Sequence, residues 1–221
     1  STDLSKHYLA RLALDGVPGR GGQPAMLAVL GMHLKAIPTD PHSCHKREGQ
    51  AQIAQRLLAT ALNETDYVVA MGDLNDFDGD PCCLDVQANA PTSRVLSMLK
   101  NPRGAAADEL HSVASFLPQA QRFTDFWDHD PADGVDNGDN EHSSLDHMLV
   151  STALFGALQN VSIDHAHAPM DVSDHWPLRA TFDLSALSEE PGGASCGVPQ
   201  PASPSLPPPP HDDPRAPPPP S

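Results

Sequence analysis

Four short stretches bring acids, amides and histidines together at spacings that suit proton transfer and anion chemistry. Tyr67-Val-Val-Ala-Met-Gly-Asp-Leu-Asn-Asp76 runs from a mostly apolar strand into Asp73, Asn75 and Asp76. Side chains alternate along an extended chain, so Asp73 and Asn75 share one side and Leu74 takes the other. On its own GDLND equally describes a turn capped by its own Asx residues. Gly31-Met-His33-Leu-Lys-Ala36 ends an apolar stretch on a histidine. Ser144-Leu-Asp146-His-Met-Leu-Val-Ser151 sets an acid on the face of Met148 and Val150, a costly place for a carboxylate without a partner. Val172-Ser-Asp174-His175-Trp-Pro177 sets an acid beside a histidine. Neighbours in an extended chain point opposite ways, so Asp174 is badly placed to orient the His175 imidazole. Asp146 is the candidate for that task, which leaves Asp174 for a cation.

These residues need elements to hold them. Tyr8 to Leu14 and Pro24 to Leu34 read as strands joined by a glycine-rich turn. His45 to Leu62 reads as a helix, with Ile53, Leu57 and Ala61 at four-residue spacing and Ala54, Leu58 and Leu62 beside them. Tyr67 to Met71 follows as a buried strand. Strand, helix, strand at this length predicts a parallel crossover that brings His33 beside the Asp73 strand. Ser93 to Leu99 and Ala107 to Leu117 carry helical patterns. Arg122 to Trp127, Leu145 to Ser151, Val161 to His165 and Leu178 to Leu184 read as strands. A polar loop of about 17 residues, DHDPADGVDNGDNEHSS, separates the first two of these, and loops that long are often functional. The fold class is α/β with a mixed sheet or two packed sheets.

GMHLKA, GDLND, LDHMLVS and SDHWP, in this order, resemble the endonuclease/exonuclease/phosphatase family typified by pancreatic deoxyribonuclease. The resemblance spans Tyr8 to Leu184. It implies a four-layer α/β/β/α sandwich and Mg²⁺- or Mn²⁺-assisted hydrolysis of phosphate esters, with a phosphodiester, and nucleic acid first, as substrate. By the resemblance His33 contacts the scissile phosphate or acts as acid, Asp73 orients or deprotonates the attacking water, and Asn75 holds a phosphate oxygen. Asp146 orients His175, His175 takes a proton or stabilises the pentacoordinate state, and Asp174 binds metal. In-line attack at phosphorus asks for those parts: a positioned water, charge neutralisation and a proton route. The family also places an asparagine and a metal-binding glutamate in strands before those seen here, and an acid beside the histidine of the HLKA motif. The sequence therefore reads as the C-terminal two-thirds of such a domain, occupying residues 1–184.

Composition narrows the field further. Residues 185–221 hold 13 of the 24 prolines and few bulky apolar side chains, which reads as a disordered polyproline-rich tail and a candidate ligand for SH3, WW or EVH1 domains. The formal net charge of −16 makes a poor surface for gripping a polyanion without a metal ion. No apolar window is long enough to span a membrane, and a monomer is expected. The sequons at Asn63 and Asn160 suit secretion, as does an expected disulfide from Cys44 to Cys82 or Cys83. The histidine sets His33, His42, His45 and His165, His167, His175 lack zinc spacing, and Cys82-Cys83 is not C-x-x-C. Asp133 to Glu141 misses the EF-hand register and reads as a solvated loop. Lys46 and Arg47 read as exposed bases, and Trp176 as packing a strand edge. Two alternatives to a nuclease-like phosphodiesterase stand: a catalytically incomplete remnant that binds partners through its tail, and a phosphomonoesterase or sphingomyelinase-type hydrolase built on the same residues.

Overall fold

Strand β3 (Tyr67–Asp73) explains the architecture, because its side chains are buried on both faces. Val68 and Ala70 face one apolar core and Tyr67 and Val69 the other, so something must cover each side. The computed structural model describes residues 7–19, 23–105, 107–128, 135–167 and 172–187. The predicted tail from residue 188 onward lies outside them.

Among the described residues the main sheet has five strands in the order β1-β2-β3-β7-β4. These are β1 (Tyr8–Pro18), β2 (Pro24–His33), β3, β7 (Asp146–Ser151) and β4 (Leu110–Ser112). Helix α1 (Pro41–Glu64) makes the predicted crossover from β2 to its parallel neighbour β3. It starts four residues earlier than its apolar pattern suggests, because the Asp40 carboxylate accepts from the Ser43 amide at 2.8 Å and Pro41 suits the first turn. Its buried face runs through Arg47, Ala51, Ala54, Leu58 and Ala61, and it packs with α2 (Val95–Lys100) over one side of the sheet.

The other side is covered by a smaller antiparallel pair, β8 (Leu158–Ile163) and β9 (Leu178–Phe182), together with the short α3 (Thr152–Gly156). Among the described residues, helix, sheet, sheet is the mixed α/β arrangement with two packed sheets expected from the sequence, and makes up three layers of the four-layer α/β/β/α sandwich that the resemblance implies. A third patch pairs β5 (Asp125–Phe126), within the stretch that reads as a strand, with β6 (His142–Ser143), inside what reads as loop in the sequence. Leu187 is buried three residues past the expected boundary at Leu184, and its carbonyl accepts from the Tyr67 hydroxyl at 3.1 Å.

Three expectations are corrected. The helical pattern at Ala107–Leu117 is instead β4 followed by a 3-10 turn over Val113–Phe116, because Leu110 and Ser112 pair with Ser151 and Leu149 of β7. Arg47 is not an exposed base but fully buried. Cys44 is not bonded to Cys82 or Cys83: it sits in the first turn of α1, where its thiol faces the Pro38 carbonyl at 3.6 Å and Arg47 Nη2 lies 3.2 Å from its sulfur.

Candidate active site

Backbone register alone assembles most of the expected site. In the parallel pair His33 lies opposite Asp73, and in the antiparallel pair Asp73 lies opposite Asp146. One row of three polar side chains therefore crosses the end of the sheet, on the face that looks toward β9. Two further backbone bonds carry this ladder past the strand ends, Leu34 N–H to Asp73 O and Leu74 N–H to Leu145 O, both 2.9 Å.

The turn after Asp73 is tight. Gly72 sits at φ +131, and a Cβ there would lie 1.9 Å from the Met32 carbonyl oxygen, so only glycine fits. Asn75 takes the left-handed region at φ 53, which asparagine tolerates better than most residues. Its backbone N–H donates to Asp73 Oδ1 at 3.0 Å and its Nδ2 to Asp73 Oδ2 at 2.7 Å. The second amide hydrogen is directed at Leu34 O, 3.4 Å away, so Asn75 fixes the Asp73 carboxylate. Asp76, the third polar residue of the stretch, is fully buried and does a different job. It accepts from Phe77 N–H, from Thr92 N–H and Oγ1, and from Ser93 Oγ, which ties the loop back to the start of α2.

His175 reaches the row from the opposite side. Its Nδ1 lies 2.6 Å from Asp146 Oδ2, the pairing expected from the alternation argument. His33 Nε2 lies 3.6 Å from Asp73 Oδ2. Asp174 is exposed, and its carboxylate makes no hydrogen bond or ion pair among the described residues.

Asp125 is the member that sequence reasoning missed. It stands on β5, bridges to His175 through the backbone, and places Oδ1 3.4 Å from His175 Nε2. Phe126 N–H donates to Asp174 O and Trp176 N–H to Thr124 O, both at 2.9 Å, so residues 124–126 set the position of His175. Buried Thr124 also accepts from the Leu145 and Asp146 amides through Oγ1, at 3.1 and 2.9 Å. Trp176 is buried as expected, edge-on to the Phe123 ring. The signal for Asp125 was the second half of Phe123-Thr-Asp-Phe-Trp127, where an acid interrupts an aromatic run.

The electrostatics separate the roles. Burial raises the Asp73 carboxyl above its ordinary value, and the nearby Asp146 charge adds to this. Burial lifts Asp125 to about 6, partly offset by His175. The hydrogen bond to Asp146 raises His175 to about 9 against the cost of its burial, so the ring is an imidazolium at neutral pH. A cleft of about 470 Å³ opens beside these groups, walled by Tyr8, Met71, Met148 and Leu178.

No protein-family model matches the sequence, and no curated protein matches it. Solved structures do. The catalytic domain of Xenopus laevis APE2 is similar at 18% identity over 79% of this chain and 54% of that one, with a TM-score of 0.55. The Neisseria 3′ phosphatase NExo, solved bound to a product DNA hairpin, is similar at 17% identity over 81% of this chain and 71% of that one, TM-score 0.54. An AP endonuclease from Archaeoglobus fulgidus is similar at 17% identity over 79% and 65%, TM-score 0.51. The chain shares its fold with these structures, as the resemblance carried by the four motifs implies. The chain spans 54% to 71% of the length of these three structures.

Proposed function

We propose that this protein hydrolyses phosphodiesters with the help of a divalent cation, and that nucleic acid is its substrate class. One observation carries the reading: Asp73, held by Asn75, and His175, held by Asp146, face the same space at one sheet edge. Asp73, raised by burial, is the base that takes a proton from water. His175 stays protonated near neutrality and stabilises charge on the phosphoryl oxygens or supplies a proton to the leaving oxygen. His33 flanks Asp73 and is half exposed, which leaves it able to meet the phosphate from the other side.

The donor set fits a hard cation, since this end of the sheet offers carboxylate oxygens and no thiolate. Asp174 would hold Mg²⁺ or Mn²⁺, with waters and substrate oxygens completing the shell. Such an ion supplies charge neutralisation at phosphorus. The similar structures support the DNA assignment through the hairpin product bound to the Neisseria enzyme.

The test uses bis-p-nitrophenyl phosphate and a short DNA oligonucleotide with the full chain. Turnover should require Mg²⁺ or Mn²⁺ and vanish with EDTA. Undiminished turnover in EDTA overturns the metal, and the absence of turnover on either substrate leaves the partner-binding remnant as the better account.

A further inference from the structure

A second cluster lies away from this site, on the loop that leaves the Asp73 turn. Adjacent side chains usually diverge, yet Cys82 and Cys83 converge. A turn does this: the Cys83 and Leu84 amides both donate to the Asp80 carbonyl, at 2.8 and 3.0 Å. The two sulfurs come to 3.0 Å, and one oxygen of Asp80 lies within 4.8 Å of both. Cys82 is exposed and Cys83 buried, so the group sits at a surface mouth. A cavity of about 80 Å³ opens there, lined also by Lys100, Asp108 and His111.

The charge around the cluster is unbalanced. Buried Lys100 is the cation shared by Asp78, 2.7 Å away, and Asp80. Asp78 Oδ1 also accepts from the Asp80 amide, while its Oδ2 is buried with no hydrogen-bond partner. One ammonium thus serves two carboxylates beside two thiols.

We propose that Asp80, Cys82 and Cys83 form a binding site for a thiophilic divalent cation of the zinc class, separate from the hard-cation position at Asp174. Two thiolates select zinc over magnesium, and a third ligand from carboxylate oxygen is compatible with tetrahedral zinc. Binding would release two protons, one from each thiol, and replace them with two metal–sulfur bonds. With Zn–S bonds near 2.3 Å, tetrahedral sulfurs stand about 3.8 Å apart. The present contact must open by less than an ångström, which rotation of the exposed Cys82 side chain provides. The C-x-x-C spacing rule rejects this pair, because the turn that gathers the sulfurs is a feature of the folded chain.

Cobalt(II) is the probe, added to the full, phosphine-reduced chain. A thiolate-to-cobalt charge-transfer band saturating at one equivalent is expected, and zinc should displace it. Cys82→Ser should abolish the band, Asp80→Asn should weaken binding at least about tenfold, and Cys44→Ser should leave it intact. Exposed Cys82 tolerates serine without loss of fold, which circular dichroism checks. The proposal is overturned if no band forms, or if the band survives Cys82→Ser. It is also overturned if intact mass before reduction shows Cys82 and Cys83 joined as a disulfide that reforms in the presence of zinc.

Discussion

His175 carries a carboxylate near each ring nitrogen, Asp146 at Nδ1 and Asp125 at Nε2, and the two differ in consequence. Asp146 makes the short bond and fixes the ring, whereas Asp125 stands farther off, 3.4 Å from Nε2. His175→Ala and Asp73→Ala should each lower turnover by at least about a hundredfold, the scale of losing a positioned acid or base. Asp146→Asn should be milder but clearly damaging; an unaffected rate there, with His175→Ala inactive, would disprove the pairing. Asp125→Asn should lower the His175 pKa, read by imidazole proton NMR across a pH series. Stability should follow the same group. The folded pKa of about 9 exceeds the unfolded value of 6.5, so the contribution is complete below pH 6.5 and is lost as pH rises to about 9. With its partial exposure the effect is on the order of 1–2 kcal/mol. Urea unfolding at both ends of that window should show this loss in the native chain and not in His175→Ala. Asp125, at about 6, falls below that window.

At the scale of elements, what matters is how the strand ends and the loops beyond them are held. Gly72 allows the Asp73 turn to pass the Met32 carbonyl, so Gly72→Ala should cost several kcal/mol through strain and displace Asp73. Its melting temperature and its rate should fall together. Arg47 clamps the loop after His33: Nη1 donates to Lys35 O and Ile37 O, and Nη2 to Pro38 O and Thr92 Oγ1, between 2.8 and 3.2 Å. That clamp holds Ile37 at φ 71, a region a β-branched residue avoids. Arg47→Met leaves three partly buried carbonyls without their donor and should cost on the order of 1–3 kcal/mol, seen as an earlier urea midpoint. These elements were unequally legible. The parallel crossover and the placing of His33 beside the Asp73 strand followed from long apolar runs and side-chain alternation, which burial enforces, whereas the Asp73–Asp146 register did not. The short β4 and β6 strands did not, because two or three residues show no period and owe their pairing to distant partners. Asp125 lies in a stretch that reads as a strand, but its partner His175 is 50 residues away and no local pattern marks the pairing. Arg47 was misread because its partners are backbone carbonyls, invisible to any residue pattern.

Charge is a property of the whole molecule, and here it opposes the proposed substrate. The formal net charge is −16, and six of the 13 bases are already committed. Arg47, Lys100 and Arg122 are buried, while Arg11, Arg94 and Arg103 pair with Glu64, Glu48 and Glu109. Among the described residues this leaves few bases for a nucleic-acid backbone. A protein that binds DNA through many lysines and arginines releases counterions, and its affinity collapses between about 50 and about 200 mM salt. The opposite is expected here. Like-charge repulsion between protein and polyanion reaches furthest at low ionic strength, and the Debye length shrinks to about 8 Å at physiological salt. At fixed saturating Mg²⁺, raising KCl over that range should leave kcat/KM on an oligonucleotide unchanged or increase it. The small diester bis-p-nitrophenyl phosphate, with a single charge, should respond weakly. A steep loss on the oligonucleotide would show that a basic path exists outside the described residues. A flat or rising profile, combined with loss of turnover in EDTA, would mean that divalent cations and the Asp73–His175 edge supply the attraction that the surface withholds.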